Sequence, residues 1–259
     1  MAVAPLGEQL REWRARRRMS QMDLALDSEI STRHLSFIET GRSRPSEAML
    51  ERIADCLEVP HRARNALLLA AGYAPVYRER PLDSEEMAAM RVIVDHVLAG
   101  HEPYPALAVD RHWNMVAANA ATAILTEQVA PALLAQPVNV LRIALHPDGL
   151  APQIVNFGEW RAHLLHRLDR QIEVSADPQL AMLREELAGY DRQANDNELS
   201  LANSIAVPLV LDTIAGRIAF VSTVTIFGTP VDITLSELAI EAFYPADRAS
   251  AELLRGLMP

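Results

Sequence analysis

Seven polar side chains between residues 21 and 44 have the types and spacing that suit nucleic-acid binding. Helical periodicity turns Leu35 and Ile38 inward, which leaves Thr32, Arg33 and Ser36 on the outward side of a short helix. An arginine fork can donate two hydrogen bonds to guanine, and hydroxyl groups can bond to base edges. The side chains predicted to hold the phosphate backbone flank this helix: Gln21, Ser31, Arg42 and Arg44.

The sequence around these side chains predicts two short helices joined by a tight turn. Ser20 suits a helix N-cap, and Asp23 occupies the acidic position of a capping box. Ala25 is small, which suits the close contact between two steeply crossing helices. Gly41 fits a left-handed position after the second helix, which a residue with a β-carbon fills only at a cost.

The segment from residue 20 to residue 46 resembles the helix-turn-helix of the Cro and phage-repressor type, the xenobiotic-response-element class of bacterial proteins. Glu29 departs from that family, which usually has a left-handed glycine at the turn, and the departure costs roughly 1 kcal/mol. A helical hairpin that touches no DNA is the alternative interpretation. The resemblance is carried by Ser20, Gln21, Leu24, Ala25, Ser31, Leu35, Ile38, Glu39, Gly41, Arg42, Pro45 and Ser46.

Charge is divided unequally along the chain. The whole protein has a net charge of −10, and all of its 24 basic residues are arginine. Residues 1 to 80 contain 13 arginines against 11 acidic residues, a balance of +2, whereas the remainder contains 11 arginines against 23 acidic residues, a balance of −12. The near-neutral first part can still bind phosphates locally because its arginines cluster. The clusters are Arg14, Arg16, Arg17 and Arg18, and then Arg42 and Arg44.

The length of 259 residues favours two domains. We predict a five-helix DNA-binding domain at residues 1–72, a linker rich in proline and charge at 73–82, and a second domain at 83–259. The second domain is expected to contain helices at 83–99, 119–128, 139–146, 157–173 and 178–188. Strands are expected at 106–111, 114–118, 204–213, 217–228 and 232–247, with turns at 215–216 and 229–230. This pattern predicts a PAS-like α+β fold with an antiparallel sheet.

Three separated segments of the second domain, taken in order, resemble the MmyB-type ligand-binding domain that follows a helix-turn-helix in one class of bacterial regulators. They are residues 104–121, 139–168 and 222–247, and the run AAGYAP at 70–75 is also usual in that class. The resemblance implies a PAS-like fold with an apolar cavity that can hold a fatty acid.

A fatty acid requires a long apolar wall and a donor for its carboxylate. Arg142, within the apolar run VLRIAL, is the candidate anchor, although an arginine in such a helix also commonly reaches the surface. Asn119 is a second polar candidate, and its alternative role is to cap the helix that follows. Four aromatic residues are candidate cavity walls, with plain core packing as the alternative: Trp113, Phe157, Trp160 and Phe227.

Metal and enzyme chemistry have little support in the sequence. Glu159, His163 and His166 share a helical face, but a neighbouring apolar stripe favours their exposure to water, so we expect no metal and no cofactor. Phosphate loops, nucleophile elbows and paired catalytic carboxylates are absent, so we expect no enzyme. A single cysteine excludes an internal disulfide. Neither a signal peptide nor an 18-residue apolar run is visible, which favours a cytoplasmic protein without a membrane segment.

These patterns predict a sequence-specific DNA-binding transcription regulator whose second domain senses a small apolar ligand of the fatty-acid type. One recognition helix reads few base pairs, so we expect a homodimer on double-stranded DNA. In the main alternative, the second domain is a protein-interaction module without a ligand, for example in an antitoxin that covers a toxin. An enzyme fused to a DNA-binding domain has the least support.

Overall fold

The computed structural model describes residues 4–190, 207–227 and 232–257. Two compact units are present, the first formed in the main by residues up to Glu79 and the second in the main by residues from Arg80 onward. Within the described residues, no helix combines the length and the apolar composition that a membrane span requires. Each unit has its own hydrophobic core.

The first unit is a bundle of five helices, as predicted. Their inward apolar faces pack into one core, in which Leu10, Leu24, Leu35, Ile53 and Leu67 are fully buried. The helices are α1 Leu6–Arg16, α2 Gln21–Asp27, α3 Thr32–Glu39, α4 Glu47–Cys56 and α5 His61–Ala70.

Local capping fixes where α2 and α3 begin and end. The Ser20 hydroxyl accepts a hydrogen bond from the Asp23 amide at 3.1 Å, and the Asp23 carboxylate accepts one from the Ser20 amide at 2.9 Å, so the predicted capping box is confirmed. These bonds lower the pKa of Asp23. Glu29 has the left-handed φ of 55° expected at the turn, and Gly41 has a φ of 72° after α3.

The segment predicted as a linker is tied to the first unit at its beginning. The Asn65 side-chain oxygen on α5 accepts hydrogen bonds from the amides of Val76 and Tyr77, both at 3.1 Å. The Tyr77 ring stacks on His61 with a centroid separation of 4.1 Å. Residues up to Tyr77 are therefore held by α5, and the domain boundaries at 72 and 82 stay a prediction.

The second unit is an α+β domain, and the predicted fold class is confirmed. Its described strands form one antiparallel sheet in the order β2-β1-β5-β4-β3. The strands are β1 Ala106–Val109, β2 Met115–Ala118, β3 Leu209–Thr213, β4 Gly216–Ile226 and β5 Ala239–Pro245. The helices are α6 Ala88–Ala99, α7 Ala123–Thr126, α8 Val140–Leu145, α9 Phe157–Ser175, α10 Pro178–Ala188, α11 Ile233–Ser236 and α12 Arg248–Leu257.

Alternation along β1 distributes its side chains to two faces of the sheet. Ala106 and Ala108 belong to a small apolar cluster with α6, whereas Leu107 and Val109 belong to the large core that includes residues of α8, α9 and α10. Strand β1 is therefore buried on both faces, and the large core lies on the side of Leu107.

Several element predictions in the second unit need correction. The predicted last strand begins instead with the short helix α11, because Leu235 and Leu238 both pack in the α6 cluster, and a spacing of three would turn them to opposite faces of a strand. The helix predicted at 119–128 is a 3₁₀ turn, Ala120–Thr122, followed by the single turn α7. The helix predicted at 83–99 begins as a 3₁₀ turn, Glu85–Met87, whose N-cap Ser84 forms no side-chain capping bond, and continues as α6.

Helix α12 was not predicted, although Asp247 accepts a hydrogen bond from the Ser250 amide at 2.7 Å in the manner of an N-cap. The turn predicted at 229–230 and the first residues of the strand predicted at 204–213 lie outside the described residues.

Candidate nucleic-acid interface and ligand cavity

The outward face of α3 carries the side chains predicted to read bases. Thr32 and Arg33 are exposed, and Ser36 is half-buried. The guanidinium carbon of Arg33 lies 5.4 Å from the ring centroid of Phe37, and that of Arg42 lies 6.0 Å from the same centroid. One aromatic ring thus contacts a cation on the helix and a cation in the loop after it. Arg33 and Arg42 together give this face a positive edge.

Arg44 is oriented by groups at the end of the five-helix bundle. Its Nη2 donates to the Gly72 carbonyl at 3.0 Å, and its guanidinium carbon lies 4.5 Å from the Tyr73 ring centroid. The Tyr73 hydroxyl in turn donates to the Pro45 carbonyl at 2.9 Å. Arg44 remains exposed, so it combines a fixed position with access to solvent.

The two predicted phosphate-binding residues at the helix starts also serve the fold. The Ser31 hydroxyl accepts a hydrogen bond from the His34 amide at 3.1 Å and caps α3. Gln21, at the start of α2, donates from Nε2 to Glu39 at 2.7 Å. Glu39 therefore orients Gln21 while it ends α3.

The arginine cluster in and after α1 is only partly available to phosphates, which corrects its reading as one basic patch. Arg14 donates through Nε and Nη2 to the two carboxylate oxygens of Glu39, at 2.9 and 3.1 Å, and the Glu39 side chain is fully buried. Arg17 donates to the carbonyls of Leu57 and Glu58. Arg16 and Arg18 are exposed.

An apolar cavity of about 60 Å³ lies in the large core of the second unit. Side chains from the sheet, such as Leu107 and Phe243, form one wall, and side chains from α8 and α9, such as Leu141 and Trp160, form another. Glu241 is the ionisable residue among those that line it, and it is 5 % exposed. Its Oε1 accepts from Nη1 of Arg167 at 2.9 Å. The cavity is suited to an apolar molecule.

Comparison with known families accounts for both units. Residues 5–67 match the family model of a helix-turn-helix domain. Residues 90–257, more than half of the chain, match the model of the MmyB-like transcription regulator ligand binding domain. The chain belongs to the MmyB-like transcription regulators. Both resemblances noted in the sequence are therefore confirmed.

A curated relative of this MmyB-like regulator is an uncharacterized HTH-type transcriptional regulator, RghRB, of Bacillus subtilis (strain 168). The two are 35% identical over 85 residues, which is 32% of the present chain and 59% of the relative. The chain thus matches less than two thirds of the length of that protein.

The aromatic residues predicted as cavity walls lie at different places in the MmyB-like domain. Trp160 lines the cavity. Trp113 and Phe157 are buried in the large core but are not among the lining residues, and Trp113 donates from Nε1 to Gln171 at 2.7 Å. Phe227 is half-buried against the α6 cluster, on the opposite face of the sheet.

Asn119 lies outside the cavity lining and joins three segments by hydrogen bonds. Its side-chain oxygen accepts from the Ala106 amide at 3.0 Å, and its Nδ2 donates to the carbonyls of Leu98 and Tyr104 at 3.1 and 2.8 Å. It makes no capping bond to the following turn, so the capping role suggested by the sequence is wrong.

Arg142 is engaged by an acidic partner on a neighbouring helix. Its Nε and Nη2 donate to the two oxygens of Glu186, both at 2.7 Å, and the Tyr190 hydroxyl donates to the same carboxylate. The hydrogen bond between Arg142 and Glu186 raises the pKa of Arg142 and lowers the pKa of Glu186. Burial, together with the hydrogen bond to Glu186, raises the pKa of Tyr190 to about 12. Arg142 is not among the cavity-lining residues, so anchoring a ligand there would require that Glu186 leave it.

The histidines of α9 have unequal surroundings. His166 is exposed, whereas His163 is half-buried and its ring stacks on Trp160 with a centroid separation of 5.4 Å. Burial, and to a smaller extent the nearby charge of Arg167, lowers the pKa of His163. In the described part of the chain, no three His, Cys, Asp or Glu side chains are grouped in a way that could hold a metal ion.

Glu241 is the charged residue of the cavity wall, and it was not predicted from the sequence. The signal was its position in the run AIEAFYP, because alternation in a strand places residue 241 on the same face as Ala239 and Phe243. An acidic residue at a core-facing strand position is unusual and points to a site.

Proposed function

We propose that this protein is a one-component transcription regulator. The first domain binds double-stranded DNA in a sequence-specific manner, and the second binds a small apolar ligand with a chain of the fatty-acid type. The observation that carries the proposal is the joint placement of Arg33 and Arg42 around Phe37 on the open face of α3. The same chain encloses an apolar cavity in a MmyB-like domain.

In the proposed complex, α3 enters the major groove, as recognition helices of this motif do. Thr32, Arg33 and Ser36 then reach base edges. Around them, four residues contact the phosphate backbone and set the register of the helix. These residues are Gln21, Ser31, Arg42 and Arg44.

The cavity supports a ligand whose apolar chain packs against aliphatic walls. Its volume of about 60 Å³ means that a long chain must displace side chains as it enters. Trp160 contacts the ligand in this proposal. Trp113, Phe157, Asn119 and Arg142 would contribute only if the surrounding core opens. Phe227, on the opposite face of the sheet, would not reach the ligand. The ligand regulates DNA binding by having unequal affinity for two states of the protein.

We further propose a cytoplasmic homodimer. An eight-residue α3 contacts too few base pairs to select one operator in a genome, and two copies on a palindromic site would double the contacts. Light scattering on a palindromic duplex is expected to give two chains per duplex. One chain per duplex at saturation would rule out the dimer.

The competing function is a protein-interaction module in place of a ligand-binding domain, for which the acidic balance of residues 81 to 259 is the supporting observation. Native mass spectrometry of the purified full chain distinguishes the two. An added mass that lipid extraction removes supports the ligand, whereas an empty domain that binds no apolar probe supports the interaction module.

Selection of binding sites from a random duplex library, followed by gel shifts, tests the DNA-binding role. Arg33→Ala should lose about 1–3 kcal/mol of discrimination at one base pair, because an arginine fork recognises a single guanine. Arg42→Ala should weaken binding to all duplexes alike and reduce its dependence on salt, because it loses one phosphate contact.

Arg248→Ala is the matched control, since Arg248 is exposed on α12 and its loss removes the same charge. It should leave both properties unchanged. If Arg33→Ala weakened binding to all duplexes alike and Arg42→Ala relaxed the sequence preference, the roles of base reading and phosphate binding would be reversed between the two residues. If the protein selected no duplex from the library, the DNA-binding role would be rejected.

A further inference from the structure

The polar groups of the cavity wall restrict which ligand head group can bind. On the basis of the function proposed above, we infer that the cavity selects a ligand whose polar end is uncharged and donates a hydrogen bond to Glu241, such as an alcohol, a primary amide or an un-ionised carboxyl. An ionised carboxylate is disfavoured at this position. Trp160 provides the matching donor for an acceptor atom of the ligand.

Glu241 reaches the cavity because of the register of β5. It pairs with Leu107 of β1, which also lines the cavity, and Phe243 lies on the same face two residues later. Arg167, its ion-pair partner, is not among the lining residues. Glu241 rather than Arg167 is therefore the charged residue at the cavity wall.

A second contact, with Trp113, also holds Arg167. Its guanidinium carbon lies 4.7 Å from the ring centroid of Trp113, and its side chain is 23% exposed. Two negative charges close together in a site of low dielectric repel each other strongly. A carboxylate head would face Glu241 with no cation of its own, and a neutral donor would gain a charge-assisted hydrogen bond there.

The hydroxyl groups of Thr122 and Thr126 in the cavity wall offer no hydrogen-bond donor to a ligand carboxylate. The Thr122 hydroxyl donates to the Ala106 carbonyl at 3.0 Å, and the Thr126 hydroxyl donates to the Ala123 carbonyl at 3.3 Å. Both protons are used within the protein. Their oxygens can still accept a bond, which again favours a ligand that donates.

Trp160, a residue of the cavity wall, carries a hydrogen-bond donor left unused by the described residues. It is 3% exposed, and its Nε1–H has no hydrogen-bond partner in the part of the chain that the structure describes. A buried donor without a partner is costly, and native proteins usually satisfy such groups. Trp160 and Leu164 line the cavity one turn apart on α9, and Arg167 follows on the same side of the helix. An acceptor on the ligand satisfies this indole.

A comparison of dodecanol and dodecanoate binding to the lipid-free full chain tests the inference, at a pH where the acid is ionised and below the micelle concentration of each probe. Dodecanol should bind about tenfold more tightly or better, as judged by calorimetry or by displacement of a fluorescent probe. Equal or tighter binding of dodecanoate would overturn the inference and leave the proposed function standing. If neither probe binds, this inference and the ligand-binding part of the proposed function both fail, whereas the DNA-binding part is unaffected.

Glu241→Gln keeps the shape of the side chain and removes its charge. It should raise dodecanoate affinity about tenfold and weaken dodecanol binding about twofold to fivefold, because the hydrogen bond to dodecanol stays but loses its charge assistance. Glu185→Gln, an exposed substitution on α10 with the same charge change, should leave both affinities unaltered. An unchanged ratio of the two affinities in a folded Glu241→Gln protein would contradict the assignment.

Trp160→Phe provides an independent variant that retains an aromatic ring and removes the N–H. It should weaken dodecanol about fivefold, because one hydrogen bond is lost from a buried site. Full retention of dodecanol affinity would show that Trp160 does not donate to the ligand.

Discussion

Among the described residues, each unit has one glutamate that is buried and paired with an arginine, and the two pairs differ in how their remaining hydrogen-bonding capacity is used. Glu39 in the helix-turn-helix domain accepts three bonds, two from Arg14 and one from Gln21. Glu241 in the MmyB-like domain accepts one bond, from Arg167, and lines a cavity. The first pair is satisfied by the protein itself, whereas the second leaves bonding capacity for another molecule.

This difference separates a structural ion pair from a binding site, although burial and residue types are alike. Burying a charged pair costs desolvation energy, which is recovered only when the remaining hydrogen-bonding capacity is also used. Glu39 recovers it by fixing Gln21 and joining α1 to the end of α3. For Glu241 we propose that a ligand completes the set.

Replacing each of these two glutamates by glutamine should give the largest difference in stability between the two domains. Glu39→Gln should lower the free energy of unfolding of the first domain by about 3 kcal/mol, because it weakens two charge-assisted bonds from a partner with little access to water. Glu241→Gln should cost about half of that or less, because it weakens one such bond. Hydrogen exchange of peptides from each domain in the full chain measures the loss of unfolding free energy in each variant. Equal losses would mean that the two glutamates do not differ as a structural ion pair and a binding site.

Gly7 in the first domain and Gly158 in the second extend the comparison to backbone packing, where a smaller change in stability is expected. A β-carbon on Gly7 of α1 would lie 2.1 Å from the Glu39 carbonyl oxygen, so α1 can approach α3 only through a glycine. Gly7→Ala should therefore destabilise the first domain by about 1–3 kcal/mol, although alanine favours helix.

Gly158→Ala in the first turn of α9 is the matched substitution in the second domain. A β-carbon there would meet no atom within 4 Å, so the change should be neutral or stabilising by up to about 1 kcal/mol. Thermal unfolding compares the two variants. A neutral Gly7→Ala would mean that the contact between α1 and α3 is looser than the structure indicates.

The helix-turn-helix could be predicted closely because its signals are local. Ser20 and Asp23 cap a helix three residues apart, and Glu29 and Gly41 occupy left-handed positions that their neighbours in sequence define. The ion pair between Arg14 and Glu39 was not predicted, because the two residues are 25 positions apart and local spacing gives no sign of their contact. Spacing alone therefore places Arg14 among the arginines available to phosphates.

The cavity could not be predicted at the level of residues, because its lining comes from elements distributed between residues 107 and 243. Composition in the apolar runs does not distinguish a cavity wall from the core behind it, so Trp160 and Phe157 looked equivalent although one lines the cavity. Arg142 attracted attention as the charged residue in an apolar helix, but its partner Glu186 is 44 residues away. The order of strand and helix patterns predicted the α+β fold of this domain, and its resemblance to the MmyB type pointed to an apolar cavity, but only the structure identifies Glu241 in the cavity wall.

The most direct test of the account is whether a ligand in the second domain changes the affinity of the first domain for DNA. Fluorescence anisotropy of a library-selected duplex with the full chain should give a Kd that changes about fivefold or more when dodecanol is saturating, in either direction. The Arg248→Ala control should respond in the same way. An unchanged Kd at a dodecanol concentration shown by calorimetry to fill the cavity would contradict the account.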